Sequence, residues 1–262
     1  MIVNADDFGL DERTNAAVVA AFRQGLVSST TLIANGVGFQ EAVEMGHEIR
    51  LARHLGAHLV LTVGTPLTHR IRHLPRFCDP DGRFSSREHG FALRISSDER
   101  HAVLEELGAQ LERIRQAGFP ITHVDSHHHV HTEWAIGGCV LEVCRALGIR
   151  RVRLARNCGR RVGLVRAVYK AAYNRRLRAA GQAGSRWFGS VEDWVHLAER
   201  RDASTVDDAE VMTHPTLDHD GALVEAGSAR VPFAQHLAPL ARHLPGISHA
   251  GAQYDAGRVL RS

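Results

Sequence analysis

Lysine is nearly missing from this chain. Lys170 is the only one, so every other basic residue among the 32 lysines and arginines is arginine. Long apolar runs are missing too: none approaches the roughly 18 residues that a membrane-crossing helix needs, which excludes a helical membrane protein. The four cysteines, Cys78, Cys139, Cys144 and Cys158, form no Cys-x-x-Cys pair. Their spacing fits neither a zinc knuckle nor a disulfide framework, so a reducing cytoplasm is the expected compartment. The first residues lack a basic stretch followed by an apolar one and do not read as a secretion signal.

Acidic residues are absent from the segment at about 150–186, which is rich in arginine and contains Lys170. Such a block suits an anionic substrate, a membrane surface or nucleic acid. No aromatic-plus-basic module accompanies it, which argues against nucleic acid. A solvated helix balanced by acidic surface elsewhere is the plain alternative.

What remains is the composition of a globular protein. A chain of 262 residues buries a full core and fits one domain over 1–262. Strand-like and helix-like stretches alternate about seven times without a composition break. Strands are expected near 2–5, 29–35, 56–62, 121–131, 151–155, 187–189 and 209–215. Helices are expected near 13–25, 39–54, 98–118, 134–147, 162–180, 191–201 and 233–243. Asp11 is placed to cap the first helix, with Ala16, Val19, Ala20 and Phe22 facing inward. Residues at about 63–97 have little periodicity and read as a flap or insertion over a site at the strand ends. This alternation points to α/β architecture, either a parallel (β/α) barrel or a doubly wound sheet, and in both the chemistry sits at the carboxyl ends of the strands.

The candidate residues fall at those ends. Ile2 and Val3 open a buried strand that runs into Asp6 and Asp7. Two carboxylates at the end of a core strand require a cation or exposure; solvated aspartates flanking a helix cap are the bland reading. His58 interrupts an apolar run and is weak alone. His123, Asp125, His127, His129 and His131 alternate, so on an extended strand they share one face, too polar for a core face and consistent either with a metal site or with a histidine-rich edge. His214 precedes Pro215 at the end of the last strand. Carboxylate and imidazole donors suit zinc and, with water, magnesium.

These stretches resemble the YdjC/ChbG-type carbohydrate deacetylases. The resemblance rests on Asn4-Ala5-Asp6-Asp7-Phe8-Gly9, Gly56-Ala57-His58-Leu59-Val60-Leu61-Thr62, Thr122-His123-Val124-Asp125-Ser126-His127-His128-His129-Val130-His131 and Glu210-Val211-Met212-Thr213-His214-Pro215, in the family's order. Asn15 and Ser28-Ser29-Thr30-Thr31 are similar as well. The resemblance implies a single-domain, incomplete or distorted TIM-type barrel of about seven parallel strands. It implies removal of the N-acetyl group from an acetylated amino sugar, such as a chito-oligosaccharide, by metal-activated water. By position Asp7, His58 and His127 match the metal ligands for one divalent ion, magnesium or zinc. Asp6 matches the general base and His214 the general acid, while Asp125, His129, His131 and Asn4 are expected around the ligands or the substrate. The chain departs from the family pattern after Pro215 and in its basic block, which leaves the sugar open, including an anionic or lipid-linked one. A homodimer is the expectation on base rates. Two other readings fit the same residues: a metal-dependent phosphoesterase on a similar barrel, and a catalytically silent binder of an anionic sugar.

Overall fold

A computed structural model describes residues 1–85, 91–159, 162–201, 208–227 and 231–243. The chain alternates strand and helix as β1 (Ile2–Phe8), α1 (Glu12–Arg23), β2 (Ser29–Leu32), α2 (Phe39–Glu48), β3 (Leu55–Leu59), α3 (Ser97–Gln116), β4 (Val124–Ser126), α4 (Trp134–Ala146), α5 (Leu164–Ala179), β5 (Trp187–Gly189), α6 (Val191–Ala198) and β6 (Ala209–Thr213). An antiparallel hairpin, β7 (Pro215–Leu217) and β8 (Leu223–Glu225), and a last helix, α7 (Phe233–His243), follow.

Six strands, all parallel, form one curled half-barrel sheet in the order β4-β3-β2-β1-β6-β5. The sequence suggested about seven. The expected strand at 151–155 is reduced to isolated bridges, Val124 with Val152 and Arg151 with Ala183. It nevertheless spans the open side. Arg153 donates its backbone N–H to Val124 at 2.9 Å, and Asn157 donates to Phe188 at 3.0 Å, so the segment touches β4 at one end and β5 at the other. A ladder this short registers as a closure rather than a strand.

One face of the sheet is apolar and the other is not. Val3, Ala5 and Phe8 of β1 join the buried apolar cluster that the helices cover. Asn4 and Asp6, at alternate positions, turn to the concave side. Helix α1 begins where Asp11 accepts the Thr14 N–H at 2.8 Å. Its inner face is carried by Ala17, Val18, Val19 and Ala21; Val19 lies where it was expected, whereas Ala16, Ala20 and Phe22 are only half-buried. Helix α3 starts in a full capping box of Ser96 and Glu99, which supplies two of its unpaired N–H groups with partners. Trp194 and Phe188 are fully buried, each stabilising the core by about 1.5–3 kcal/mol.

The long stretch after β3 is a packed loop. Ile71, Phe77 and Phe84 are buried, and the Glu106 carboxylate of α3 accepts the Leu67 and Thr68 N–H groups at 3.0 and 2.8 Å. Residues 86–90, part of the expected flap, lie outside the described residues. No described helix is long and apolar enough to cross a membrane. All four cysteines are free and buried.

Candidate metal centre and its ionic cradle

Strand alternation alone would aim Asp6 and Asp7 in opposite directions. The backbone prevents that. The β1–β2 register shifts between Ala5 and Phe8, and Asp7 adopts the left-handed region at φ 68°. Gly9 follows at φ 91°, and a Cβ on Gly36 would stand 2.0 Å from the Gly9 carbonyl oxygen, so only glycine allows this close turn. Asn15 of α1 pins it by accepting the Gly9 N–H at 2.7 Å.

The turn delivers Asp7 Oδ1 to two imidazoles, His58 Nε2 at 3.0 Å and His127 Nδ1 at 2.7 Å. One ligand atom from each of the three residues lies within 4.8 Å of the others. That donor set, one carboxylate and two imidazoles left open on one side, fits a divalent ion. His58 is further held from behind: its Nδ1 lies 2.7 Å from Asp125 Oδ1 and 3.1 Å from the Thr31 hydroxyl. A carboxylate on the second ring nitrogen fixes the ring and makes it a stronger ligand.

Electrostatics follow from this packing. Burial alone would raise Asp7, but hydrogen bonds from His127 and His58 and their charge hold its carboxyl well below the usual range. Burial would lower His58; Asp125 and Asp7 outweigh it and push its pKa up to about 10. The free site is therefore protonated, and a cation entering it displaces a proton.

Asp6 sits beside this group, 1% exposed. Both of its oxygens face Arg153, with Nη1 to Oδ2 at 2.7 Å and Nη2 to Oδ1 at 2.8 Å. Asn4 Nδ2 adds a bond to Oδ1 at 2.7 Å and another to Thr31 at 3.2 Å. Arg153 also contacts Asp125, at 2.6 Å, and Glu210 of β6. Burial would raise Asp6, yet the charge and hydrogen bonds of Arg153 bring it far below the ordinary carboxylate value. One guanidinium thus ties three strand-borne carboxylates together, on the concave side where an isolated carboxylate would be very costly.

His214, half-buried after β6, points Nε2 at Asp6 Oδ2 from 3.8 Å. Its Nδ1 lies 3.2 Å from Glu225 of β8, which also accepts its backbone N–H. Burial would lower this imidazole, but Glu225, Asp6 and Asp7 raise it to about 9.

The concave side therefore gathers Asn4, Asp6, Asp7, His58, Asp125, His127 and His214. It does not gather the whole histidine row. Extended backbone ends at Ser126; His128 and His129 are left-handed, at φ 52° and 57°. The common face expected of His123 to His131 breaks there. His131 turns away to the Ser126 hydroxyl at 2.6 Å, and His129 lies edge-on to Phe188. Burial keeps both neutral, His129 down to about 3. Sequence reading missed Arg153, Glu210 and Glu225. Glu210 carried a signal, a charge inside the apolar run at 209–212 that needs a buried partner, whereas Arg153 was masked by the arginines around it. Glu225, alone in a weakly patterned stretch, carried none.

Fold and site together define an α/β half-barrel protein with a carboxylate–imidazole cluster at its strand ends. The family model for YdjC-like proteins matches residues 1–242, and the chain belongs to that family. It is 40% identical over 143 residues to a carbohydrate deacetylase of Brevibacillus brevis, covering 55% of this chain and 54% of that protein. It is 32% identical over 226 residues to a chitooligosaccharide deacetylase of Yersinia pestis, covering 82% and 81%. The match to the Brevibacillus protein thus spans about half of that relative's length. A crystal structure from Enterococcus faecalis V583, named for cellobiose-phosphate cleavage, shares the fold at TM-score 0.66 and 23% identity, covering 84% of this chain and 82% of that one.

Proposed function

We propose that the protein is a carbohydrate N-deacetylase that hydrolyses the acetamide of an N-acetylated amino sugar, releasing acetate and the free amine, with one divalent ion, magnesium or zinc, held by Asp7, His58 and His127. The observation that carries this reading is Asp7 Oδ1 set between two imidazoles and next to the Asp6–His214 pair. The deacetylase names of the Brevibacillus and Yersinia relatives support it.

A divalent ion held by Asp7, His58 and His127 would supply Lewis acidity toward water and the acetamide carbonyl, so that a weak base would suffice. Asp6 is such a base, kept ionised by Arg153 and oriented by Asn4. It takes the proton of the attacking water as oxygen adds to the acetamide carbon. His214, ionised at neutral pH and anchored by Glu225, gives its proton to the nitrogen as the C–N bond breaks, because an amine leaves poorly unless protonated. Asp125 holds His58 in its ligand tautomer. The single domain over 1–262 is part of this proposal, with the segment at 63–97, which leaves the carboxyl end of β3, bordering the sugar. The free buried cysteines suit the cytoplasmic location proposed with it.

Acetate release from N-acetylglucosamine oligomers, measured with and without a chelator and with Asp6→Asn, tests the reading. Metal-dependent acetate that disappears in Asp6→Asn supports it. Phosphate release from esters without acetate from any sugar would replace it with the phosphoesterase.

A further inference from the structure

Outside the carboxylate–imidazole cluster, a cleft of about 700 Å³ runs along α5 beside the loop at 156–159 and the start of α6. Four cations line it, Arg156, Arg166, Lys170 and Arg178, against one carboxylate, Asp193. That carboxylate is already engaged, by the Arg156 guanidinium and by the Ser190 N–H at the start of α6. Arg166, Lys170 and Arg178 have no ion-pair partner among the described residues. Burial and then the charges of Arg156 and Arg166 hold the Lys170 ammonium below its usual value, so these cations sit close enough to oppose one another.

Arg166 and Arg178 are exposed and Lys170 is half-buried, yet the four positions are ordered rather than scattered. Arg166, Lys170, Asn174 and Arg178 follow at four-residue steps, one side of the helix. Asn174 in that row is buried and locks α5 to the closing segment, donating to the Ala155 carbonyl at 2.9 Å and accepting the Ala155 N–H at 2.8 Å. Arg156 comes three residues after Arg153, roughly 10 Å along an extended chain. The cleft thus adjoins the closing segment that carries Arg153.

We propose that this cleft is an anion subsite for a phosphate or diphosphate group carried by the sugar. Guanidinium forks and an ammonium are the donors that phosphate oxygens take, and a polyanion cancels the mutual repulsion of the row. What the anion is attached to rests on the deacetylase reading; the subsite itself does not. The phosphate has two sources, a soluble sugar phosphate or a lipid headgroup. The lipid source draws on the opposite side of α5, where Leu164, Val165 and Val168 stand 79, 85 and 60% exposed.

Calorimetric titration of the full chain with inorganic pyrophosphate tests the subsite without turnover, so failure of acetate release leaves it standing and its own failure leaves the deacetylase standing. Binding that weakens at least tenfold in Lys170→Ala with Arg178→Ala supports it, with unchanged melting by circular dichroism showing that the variant folds. Absence of binding at millimolar pyrophosphate, or equal affinity in the variant, overturns it. Sedimentation with vesicles of equal parts phosphatidylglycerol and phosphatidylcholine separates the sources. Pelleting that Leu164→Ser with Val165→Ser abolishes, beside intact pyrophosphate binding, assigns the lipid headgroup. Pyrophosphate binding without pelleting assigns a soluble phosphate.

Discussion

Arg153 meets Asp6 edge to edge, two nitrogens on two oxygens at 2.7 and 2.8 Å, with both side chains closed off from water. No sequence spacing announces that pair, since 147 residues separate its members. It nevertheless sets the charge state of the proposed base and braces the closing segment against β1, β4 and β6.

Removing the guanidinium strands Asp6, Asp125 and Glu210 in a buried site. Arg153→Met is expected to lower unfolding stability by about 3–5 kcal/mol, the usual cost of leaving a buried ionic partner unpaired. Urea unfolding at neutral pH measures it. A loss below about 1 kcal/mol would mean that water or another cation already serves those carboxylates.

Asp6→Asn keeps the side-chain shape and one of the two bonds from Arg153, since the amide nitrogen cannot accept the other, and it removes the proposed base. Acetate release is expected to fall by about 10²–10⁴, with metal affinity, read by calorimetry, nearly unchanged because Asp7, His58 and His127 stay in place. A variant that keeps more than a tenth of the parent rate would take Asp6 out of the proton transfer.

In the proposed mechanism His214 sets an alkaline limit. Its pKa rises from 6.5 to about 9 in the folded protein, so the acid form dominates at neutral pH and the rate falls as pH climbs through about 9. The same shift makes the imidazolium a stabilising group below pH 6.5, with that contribution lost between 6.5 and 9. Glu225→Gln removes the carboxylate that hydrogen-bonds the imidazole and should move the alkaline limb of the rate profile toward lower pH. A limb that stays in place would assign it to another group.

If the proposed ion binds at Asp7, His58 and His127, it is expected to displace a proton, because His58 is held up at about 10 in the free site. Titrations of apo protein with zinc or magnesium in buffers of different ionisation enthalpy should show proton release, and apparent affinity should rise with pH between 6 and 9 as flagged by that linkage, roughly tenfold per unit at most. Chelator should lower the melting temperature by the same linkage. Absence of both effects would remove the ion from these three residues.

Much of this was legible in residue order. The strand–helix alternation, the cap at Asp11 and the paired aspartates all depend on neighbours within a few positions. Six strands emerged instead of seven because 151–155 has strand-like residues but only two backbone bonds to β4. The histidine row misled because period-two reasoning assumes extended backbone, and the chain turns left-handed at His128 and His129. Arg153 and Glu225 could not be paired with Asp6 and His214 from spacing, since those contacts exist only once the sheet curls.

The left-handed backbone at Asp7 sets the fold's comfort against its chemistry at a single residue. Glycine would adopt φ 68° freely, whereas a residue with a Cβ costs about 1 kcal/mol there. Asp7→Gly should therefore relax the turn while erasing the carboxylate between the imidazoles. Position 7 thus sets a backbone gain of about 1 kcal/mol against the two imidazole contacts of the carboxylate, and a screen for thermostability alone reads only the balance of the two, never the chemistry that the carboxylate serves.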